Sequence, residues 1–278
     1  MTFNVAHDRL EAGEVAWPSV LITALLACAH AGIWIGALRF GLPLPIASLL
    51  LVIVTYYWFT PLHEAVHGNL AGREYGFVNP LVGHVAAMTF LAPYPAFRIL
   101  HLRHHGSVNH QGEDPDLWVD APTRLGVLGR CLTILPHYYF VLFASLGEES
   151  ATRRRMILQA GAILGTMALA FAALVRAGLG AEALLLWVLP AWLASALLAY
   201  LFDYLPHRPH DDRGRWTNAR IILGSRLGGR LLTLLMAGQN YHLVHHLKPR
   251  VPFYRYGALY HKLRPELERH GSSIVHLH

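Results

Sequence analysis

Residues 42–67 have the sequence LPLPIASLLLVIVTYYWFTPLHEAVH, and this stretch decides the fold. Residues 42–62 carry no charge. That run has the roughly 20 residues that a helix needs to cross about 30 Å of hydrocarbon. It ends in His63-Glu64-Ala65-Val66-His67, where two histidines four positions apart share one face of a helix. We therefore expect a membrane helix whose end presents metal ligands.

Three more uncharged apolar runs of similar length cover residues 19–38, 156–175 and 183–202. The chain is 54% hydrophobic and only 14% charged, whereas ordinary soluble domains carry about 25% charge. Short turns around Gly41 and Gly178 join the runs in pairs. The sequence predicts one all-α integral membrane domain over residues 1–278, with four transmembrane helices in two hairpins and a cytoplasmic, histidine-rich cap that holds two metals.

Two other apolar stretches, residues 75–97 and 131–147, are interrupted by prolines and contain histidines. Non-helical backbone at membrane depth must be covered by protein or line a cavity. We expect both stretches to be re-entrant or interfacial. Cys28 and Cys131 are far apart in apolar segments and predict neither a disulfide framework nor a metal motif.

The placement of charge predicts the topology. Arg39 and Arg176 lie in the short turns, and the other 21 of the 23 Lys and Arg residues fall on the opposite side of the four predicted spans. This asymmetry indicates a cytoplasmic cap, most simply at a bacterial inner membrane, and explains the net charge of +6 without nucleic acid. Glu11 and Glu14 precede the first run without a basic segment, so we expect no signal peptide.

Eight of the 19 histidines fall in three short motifs, which we call histidine boxes. They are residues 63–67 (HxxxH), 101–105 (HxxHH) and 242–246 (HxxHH). Residues at i, i+3 and i+4 share a helix face, so each box is expected to aim its imidazoles at a common point. Neutral imidazole binds zinc, copper, iron and nickel. Eight nitrogens suit two metals, because zinc sites stop at four ligands.

A ninth ligand is expected just after the last span, where His207 and His210 are both candidates and the residues alone do not choose between them. Asp203, His84 and Asn240 are interpreted as groups that support the ligands rather than bind metal. A structural role for a single histidine such as His84 is the simpler alternative.

The motif His63-Glu64-Ala65-Val66-His67 also fits H-E-x-x-H, in which Glu64 would be the general base of a zinc protease. A protease site needs one further ligand and leaves both HxxHH boxes unexplained. An intramembrane protease is therefore a remote alternative.

The order HxxxH, HxxHH, HxxHH between helical hairpins resembles the membrane fatty acid desaturase and hydroxylase superfamily, from about the second span to Tyr256. Three segments are most similar to the desaturase-like β-carotene 3-hydroxylases of bacteria. They are RILHLRHHGSVNHQGEDPDLW (98–118), LFDYLPHRPHDDRGRWTNAR (201–220) and MAGQNYHLVHHLKPRVPFY (236–254).

The resemblance implies a non-haem di-iron centre that uses O2 and electrons from a ferredoxin-like donor. It makes His207 the ninth ligand and brings Asp203 near one metal. The full set of implied ligands is His63, His67, His101, His104, His105, His207, His242, His245 and His246. Two residues depart from the hydroxylase pattern: Glu64 stands where aspartate is usual, and Ala71 where a further histidine is common.

The resemblance implies 3-hydroxylation of β-carotene, through cryptoxanthin, to zeaxanthin. A fatty-acyl desaturase or lipid hydroxylase with the same site is the alternative, since histidine boxes do not decide between alcohol and alkene. Five aromatic residues are expected either to meet the substrate or to form an interfacial belt: Trp58, Phe59, Trp187, Trp192 and Tyr200. Basic residues of the tail are expected to lie on the membrane or to attract an acidic electron donor: Arg226, Arg230, Lys248, Arg250 and Arg255.

Overall fold

The computed structural model describes residues 9–145 and 150–277. Gly147, at the end of the second predicted re-entrant stretch, lies outside them. Four helices in the described part are long and apolar enough to cross a membrane. They are α1 (Trp17–Arg39), α2 (Leu44–His67), α7 (Ala151–Arg176) and α8 (Gly180–Tyr204). Each overlaps one of the four predicted spans, although α2 begins two residues after the start of its span, so the four long apolar helices are confirmed.

The four-residue turn between α1 and α2 returns the chain so that the two helices pack along each other. Ala47 and Leu51 of α2 are fully buried and meet Trp34 and Ala37 of α1. Leu186 of α8 completes this cluster. The outer face of α1 instead exposes large apolar side chains such as Leu21 and Leu25, as a lipid-facing helix does. The side of the membrane on which the cap lies stays a prediction.

Each interrupted stretch includes a sharp bend between two helices. Helices α3 (Val78–Thr89) and α4 (Tyr94–Gly106) meet at 98°, and α5 (Arg124–Leu132) and α6 (Ile134–Ala144) meet at 64°. Pro93 and Pro95 stand at the start of α4, where proline is compatible with helix initiation but not with continuation of α3. The bend lets α4 carry its histidines back beneath α2.

Helix α8 contains two π-helical turns, Leu184–Val188 and Ala199–Tyr204. Such turns widen a helix locally and are frequent at functional sites. The second turn includes Asp203 and leads directly to His207.

The remaining chain forms a cap that includes a short parallel sheet, which corrects the all-α prediction. Strand β1 (Arg220–Gly224) pairs with β2 (Ser273–Leu277), with Ile221 opposite Ile274. Between them lie α9 (Arg226–Leu235), α10 (His242–Leu247) and α11 (Tyr256–Arg269). The strands were missed because five residues are too few to show alternation and the partner lies about 50 residues away.

Helix α9 is amphipathic and exposes Leu227, Leu231 and Leu234. The hydroxyl of Tyr56 donates to the carbonyl of Leu235 at 2.6 Å. Tyr56 lies eleven residues before the end of α2, or about 16 Å along the helix. The exposed leucines of α9 therefore continue the apolar surface of α2, in agreement with a tail that lies against the membrane. The side chain of Arg226 lies outside the described residues.

Candidate metal centre

Nine histidines form two adjacent groups where the ends of α2, α4 and α8 meet α10. Within each group, one ring nitrogen per residue lies within 4.8 Å of every other. The five-histidine group comprises His63, His67, His101, His105 and His245. The four-histidine group comprises His104, His207, His242 and His246. All nine histidines expected from the sequence are brought together.

Each HxxHH box is divided between the two groups, which corrects the expectation that its three rings share one point. On α4, His101 and His105 join the five-histidine group and His104 joins the other. On α10, His242 and His246 join the four-histidine group and His245 crosses to the first. The helix geometry explains this division. At 3.6 residues per turn, the side chain at i+4 is rotated by about 40° from that at i, and the side chain at i+3 by about 60° in the opposite sense. The first and third histidines of each HxxHH box therefore point to one group and the second to the other.

In the four-histidine group, the Nδ1 atoms of three histidines donate hydrogen bonds, which leaves their Nε2 atoms available to a metal. Nδ1 of His104 donates to Asp114 Oδ1 at 2.9 Å, Nδ1 of His207 to the Asn218 carbonyl at 3.0 Å, and Nδ1 of His242 to Gln239 Oε1 at 3.0 Å. Burial lowers the pKa of His207 to about 3 and that of His242 well below its usual value, so both rings are neutral at pH 7. Their Nε2 atoms then carry lone pairs and no proton.

The Nε2 atoms nevertheless face one another closely. His207 and His242 approach to 2.9 Å, and His104 and His246 to 3.3 Å. The facing lone pairs of His207 and His242 repel unless a cation lies between them. With metal–nitrogen bonds of about 2.1 Å, two ligands at right angles would be about 3.0 Å apart. The donor set of this group therefore fits a metal ion.

The five-histidine group has the same spacing, with Nε2 of His245 at 3.0 Å from that of His63 and 2.9 Å from that of His105. Five imidazoles exceed the four ligands of a tetrahedral zinc site. Iron accepts imidazole and higher coordination. The rings of His105 and His246 stack with centroids 4.4 Å apart, so the two groups are in direct contact.

Carboxylates support the four-histidine group, and histidine spacing did not point to two of them. Asp114 and Asp116 both approach Nδ1 of His104, at 2.9 and 3.3 Å. The hydroxyl of Tyr138 donates to Asp116 at 2.7 Å and lies 3.1 Å from Asp203. The sequence signal for them was the DPD segment of residues 114–116, which begins nine residues after the end of the second box. Asp203 lies at this site but outside both histidine groups.

The structure separates the two candidates for the ninth ligand. His207 is a member of the four-histidine group. His210 is buried but belongs to neither group, and its ring centroid is 6.4 Å from that of His207. Its backbone nitrogen donates to the His207 carbonyl at 2.7 Å, which fixes the turn after the ligand.

The other two expected supporting residues are further from the rings. His84 is exposed and contacts Tyr94, whose hydroxyl donates to the Ala65 carbonyl inside the first box at 3.0 Å. Asn240 is buried and donates to the Ile222 carbonyl at 3.1 Å, which anchors the start of α10 to β1. Both stabilise elements that carry ligands.

Glu64 holds the segment that follows the third histidine box. It is fully buried, and its carboxylate accepts from the backbone N–H of Phe253 at 3.1 Å and from Asn69 at 3.4 Å. Asn69 also donates to the carbonyls of Pro249 and Val251, just after the third box. The base of a protease must face its substrate, so this arrangement argues against the zinc protease alternative.

An apolar cavity ends on both histidine groups. His63 and His101 of the first group and His104 and His242 of the second line it. Asp116 and Asp203 lie in the same wall, and the remaining lining is largely aromatic and aliphatic, including Phe59, Phe90, Phe97, Leu135, Leu198 and Phe202. A lining of this character suits a hydrophobic molecule.

Of the five aromatic residues expected to meet substrate or form a belt, only Phe59 lines this cavity. Trp58 is buried in the helix core. Trp192 and Tyr200 are about 40% exposed on the outer surface of α8, and Trp187 donates to the Met88 carbonyl at 2.9 Å. These positions suit helix packing and a lipid boundary rather than substrate contact.

Comparison with known proteins agrees with this geometry. The chain is 26% identical over 232 residues to the sn-2 acyl-lipid omega-3 desaturase (ferredoxin) of Arabidopsis thaliana chloroplasts, covering 72% of this chain and 51% of the relative. It is 25% identical over 225 residues to the sn-1 oleoyl-lipid 12-desaturase of Picosynechococcus sp., covering 73% and 63%. It is 30% identical over 203 residues to the beta-carotene ketolase of Paracoccus sp., covering 71% of each.

The chain thus spans only about half to two thirds of the length of the two desaturases. A sequence profile described as fatty acid desaturase matches residues 39–278, which include all three histidine boxes and His207. On this match and on the Paracoccus relative, the chain belongs to the fatty acid desaturase family.

Proposed function

We propose that this protein is a multi-pass membrane oxidoreductase with two iron ions, which uses O2 to oxidise a C–H bond of a hydrophobic substrate. The observation that carries the proposal is the pair of histidine groups at the end of one apolar cavity. The five-histidine group would hold one iron and the four-histidine group the other. An unactivated methylene has no acidic proton, so the bound metals supply the oxidising chemistry that side chains lack.

The residues of the chain bind and orient the reactants. The aromatic wall around Phe59, Phe97 and Phe202 excludes water and presents the substrate to the histidines. Asp114 holds the tautomer of His104 by accepting from its Nδ1. Tyr138, between Asp116 and Asp203, places a hydroxyl proton in the same wall.

The substrate that we propose is a carotenoid ring, with 3-hydroxylation of β-carotene to cryptoxanthin and zeaxanthin as the reaction. Similarity to a relative named as a beta-carotene ketolase supports a carotenoid, as do the segments around the second and third boxes. Similarity to proteins named as acyl-lipid desaturases favours the second candidate, desaturation or hydroxylation of an acyl lipid. We place the site on the cytoplasmic side of a bacterial inner membrane, from the distribution of Lys and Arg.

Expression in cells that accumulate β-carotene, followed by pigment and lipid analysis, tests the proposal. Zeaxanthin or cryptoxanthin would support ring hydroxylation. New double bonds in acyl chains with unchanged carotenoids would favour the acyl-lipid reaction. The His104→Ala variant is the control and should form neither product. Absence of any oxidised pigment or lipid from cells that contain the folded, iron-loaded protein would refute the proposal.

A further inference from the structure

A second, open cavity, which we call the arginine cavity, adjoins the end of the first histidine box at His67. It is lined by four arginines, Arg9, Arg73, Arg98 and Arg250, and by no carboxylate. The four residues come from the segment before α1, the loop after α2, helix α4 and the tail. The fold therefore concentrates positive charge from four separate parts of the chain at one place.

These arginines are exposed, and no carboxylate lines the cavity with them. Within residues 9–145 and 150–277, none of the four forms an ion pair or a side-chain hydrogen bond. Arg255, another basic residue of the tail, is by contrast paired with Glu14. Four exposed cations without partners create a positive potential that attracts an acidic surface and speeds its association.

The cavity also reaches the proposed iron site. His67, a member of the five-histidine group, lines the arginine cavity together with Gly68 and Asn69. It is the only one of the nine clustered histidines to do so. The apolar cavity shares no lining residue with the arginine cavity and suits the substrate. One route to the centre is thus apolar, and the other is polar and basic.

We propose that the arginine cavity is the docking site of an acidic one-electron carrier protein and that His67 is where electrons enter. The inference rests on the proposed function. Hydroxylation of a C–H bond by O2 needs two electrons and two protons, and it yields the alcohol and one water. The chain has no reductant of its own among its described residues, so two reduced carriers must dock for each turnover.

The test compares Arg73→Glu/Arg98→Glu with wild type, with Arg213→Glu as the matched control. Arg213 is exposed on a loop and does not line the cavity. Iron-loaded protein in nanodiscs is assayed with a plant-type [2Fe–2S] ferredoxin and its reductase at low and high salt. A parallel single-turnover assay reduces the protein with dithionite, removes the reductant and then adds O2. The uncharged double variant Arg73→Gln/Arg98→Gln provides a milder second test.

We expect the Glu variant to raise the KM for ferredoxin about tenfold or more at low salt. The Gln variant should have a smaller effect, and Arg213→Glu none. Single-turnover product should be unchanged in all three. An unchanged KM for ferredoxin with normal single-turnover product would overturn the inference. If the variants with an unchanged KM also lose co-purifying anionic phospholipid, the cavity binds lipid headgroups instead. If wild type forms no product even in the single turnover, the proposed function fails and this inference fails with it.

Discussion

At the scale of single residues, the centre depends on which nitrogen of each imidazole carries the proton. Asp114, Asn218 and Gln239 accept from the Nδ1 atoms of three histidines, so the Nε2 atoms turn toward the proposed metal. Such partners fix the orientation of a ligand and tune its basicity. The centre is therefore larger than the nine histidines.

Loss of one ligand should affect one group more than the other. We expect His245→Ala to weaken the five-histidine group and His104→Ala the four-histidine group, since each residue belongs to one group only. Each variant should retain about one iron per chain instead of two and form no product. Iron analysis of the purified proteins beside product analysis is the measurement. Two tightly held irons together with full activity in either variant would refute the site as drawn.

Asp114 provides a test of the supporting residues. Asparagine at this position keeps the size but removes the charge that faces His104 Nδ1 at 2.9 Å. We expect Asp114→Asn to weaken iron binding about 10- to 100-fold, as measured by titration against a competing Fe(II) chelator. Asp211→Asn, on an exposed loop, is the control. Equal affinity in both variants would show that Asp114 does not act through the ligand.

At the scale of elements, the bend between α3 and α4 and the second π-helical turn of α8 both line the apolar cavity. Phe90 and Ala92 come from the first feature, and Ala199, Phe202 and Asp203 from the second. Neither feature is a regular helix, and each brings side chains toward the histidines that a straight helix would direct elsewhere. The shape of the cavity is thus a property of irregular backbone.

A larger side chain at Ala92 should obstruct substrate without disturbing the metals. Ala92 lines the cavity and belongs to neither histidine group. We expect Ala92→Phe to lower turnover about tenfold or more, because the larger ring would displace the substrate from its reactive position, while the iron content stays unchanged. Ala168→Phe, on the exposed face of α7, is the comparison. Normal turnover in Ala92→Phe would indicate that substrate lies elsewhere.

At the scale of the whole molecule, the metals should connect parts of the chain that are far apart in sequence. The five-histidine group joins α2, α4 and α10, and the four-histidine group joins α4, α10 and the segment after α8. Without a cation the facing Nε2 lone pairs repel, so the ends of these elements lose a common partner.

Metal removal should therefore lower thermal stability. A ligand present at about 100 times its Kd stabilises the folded state by about 2.7 kcal/mol, which corresponds to about 5–10 °C for a chain of this size. We expect chelation to lower the Tm by at least this amount and Fe(II) to restore it, as measured by scanning fluorimetry in detergent. Removal of iron from the His104→Ala/His245→Ala double variant should have a much smaller effect. Equal shifts in both proteins would show that the stabilising metal binds elsewhere.

The amino-acid sequence by itself determined the four long apolar helices, because a membrane span is a local property of about 20 consecutive residues. It also determined the identity of the histidine boxes, because i, i+3 and i+4 spacing needs only a helix. Only the tertiary structure decided the division of each HxxHH box between two groups, the support of His104 by Asp114 and the position of His207 rather than His210 in the centre. Those features depend on which helices meet and at what angle. The spacing of residues along one helix carries no information about the residues that contact it from another element.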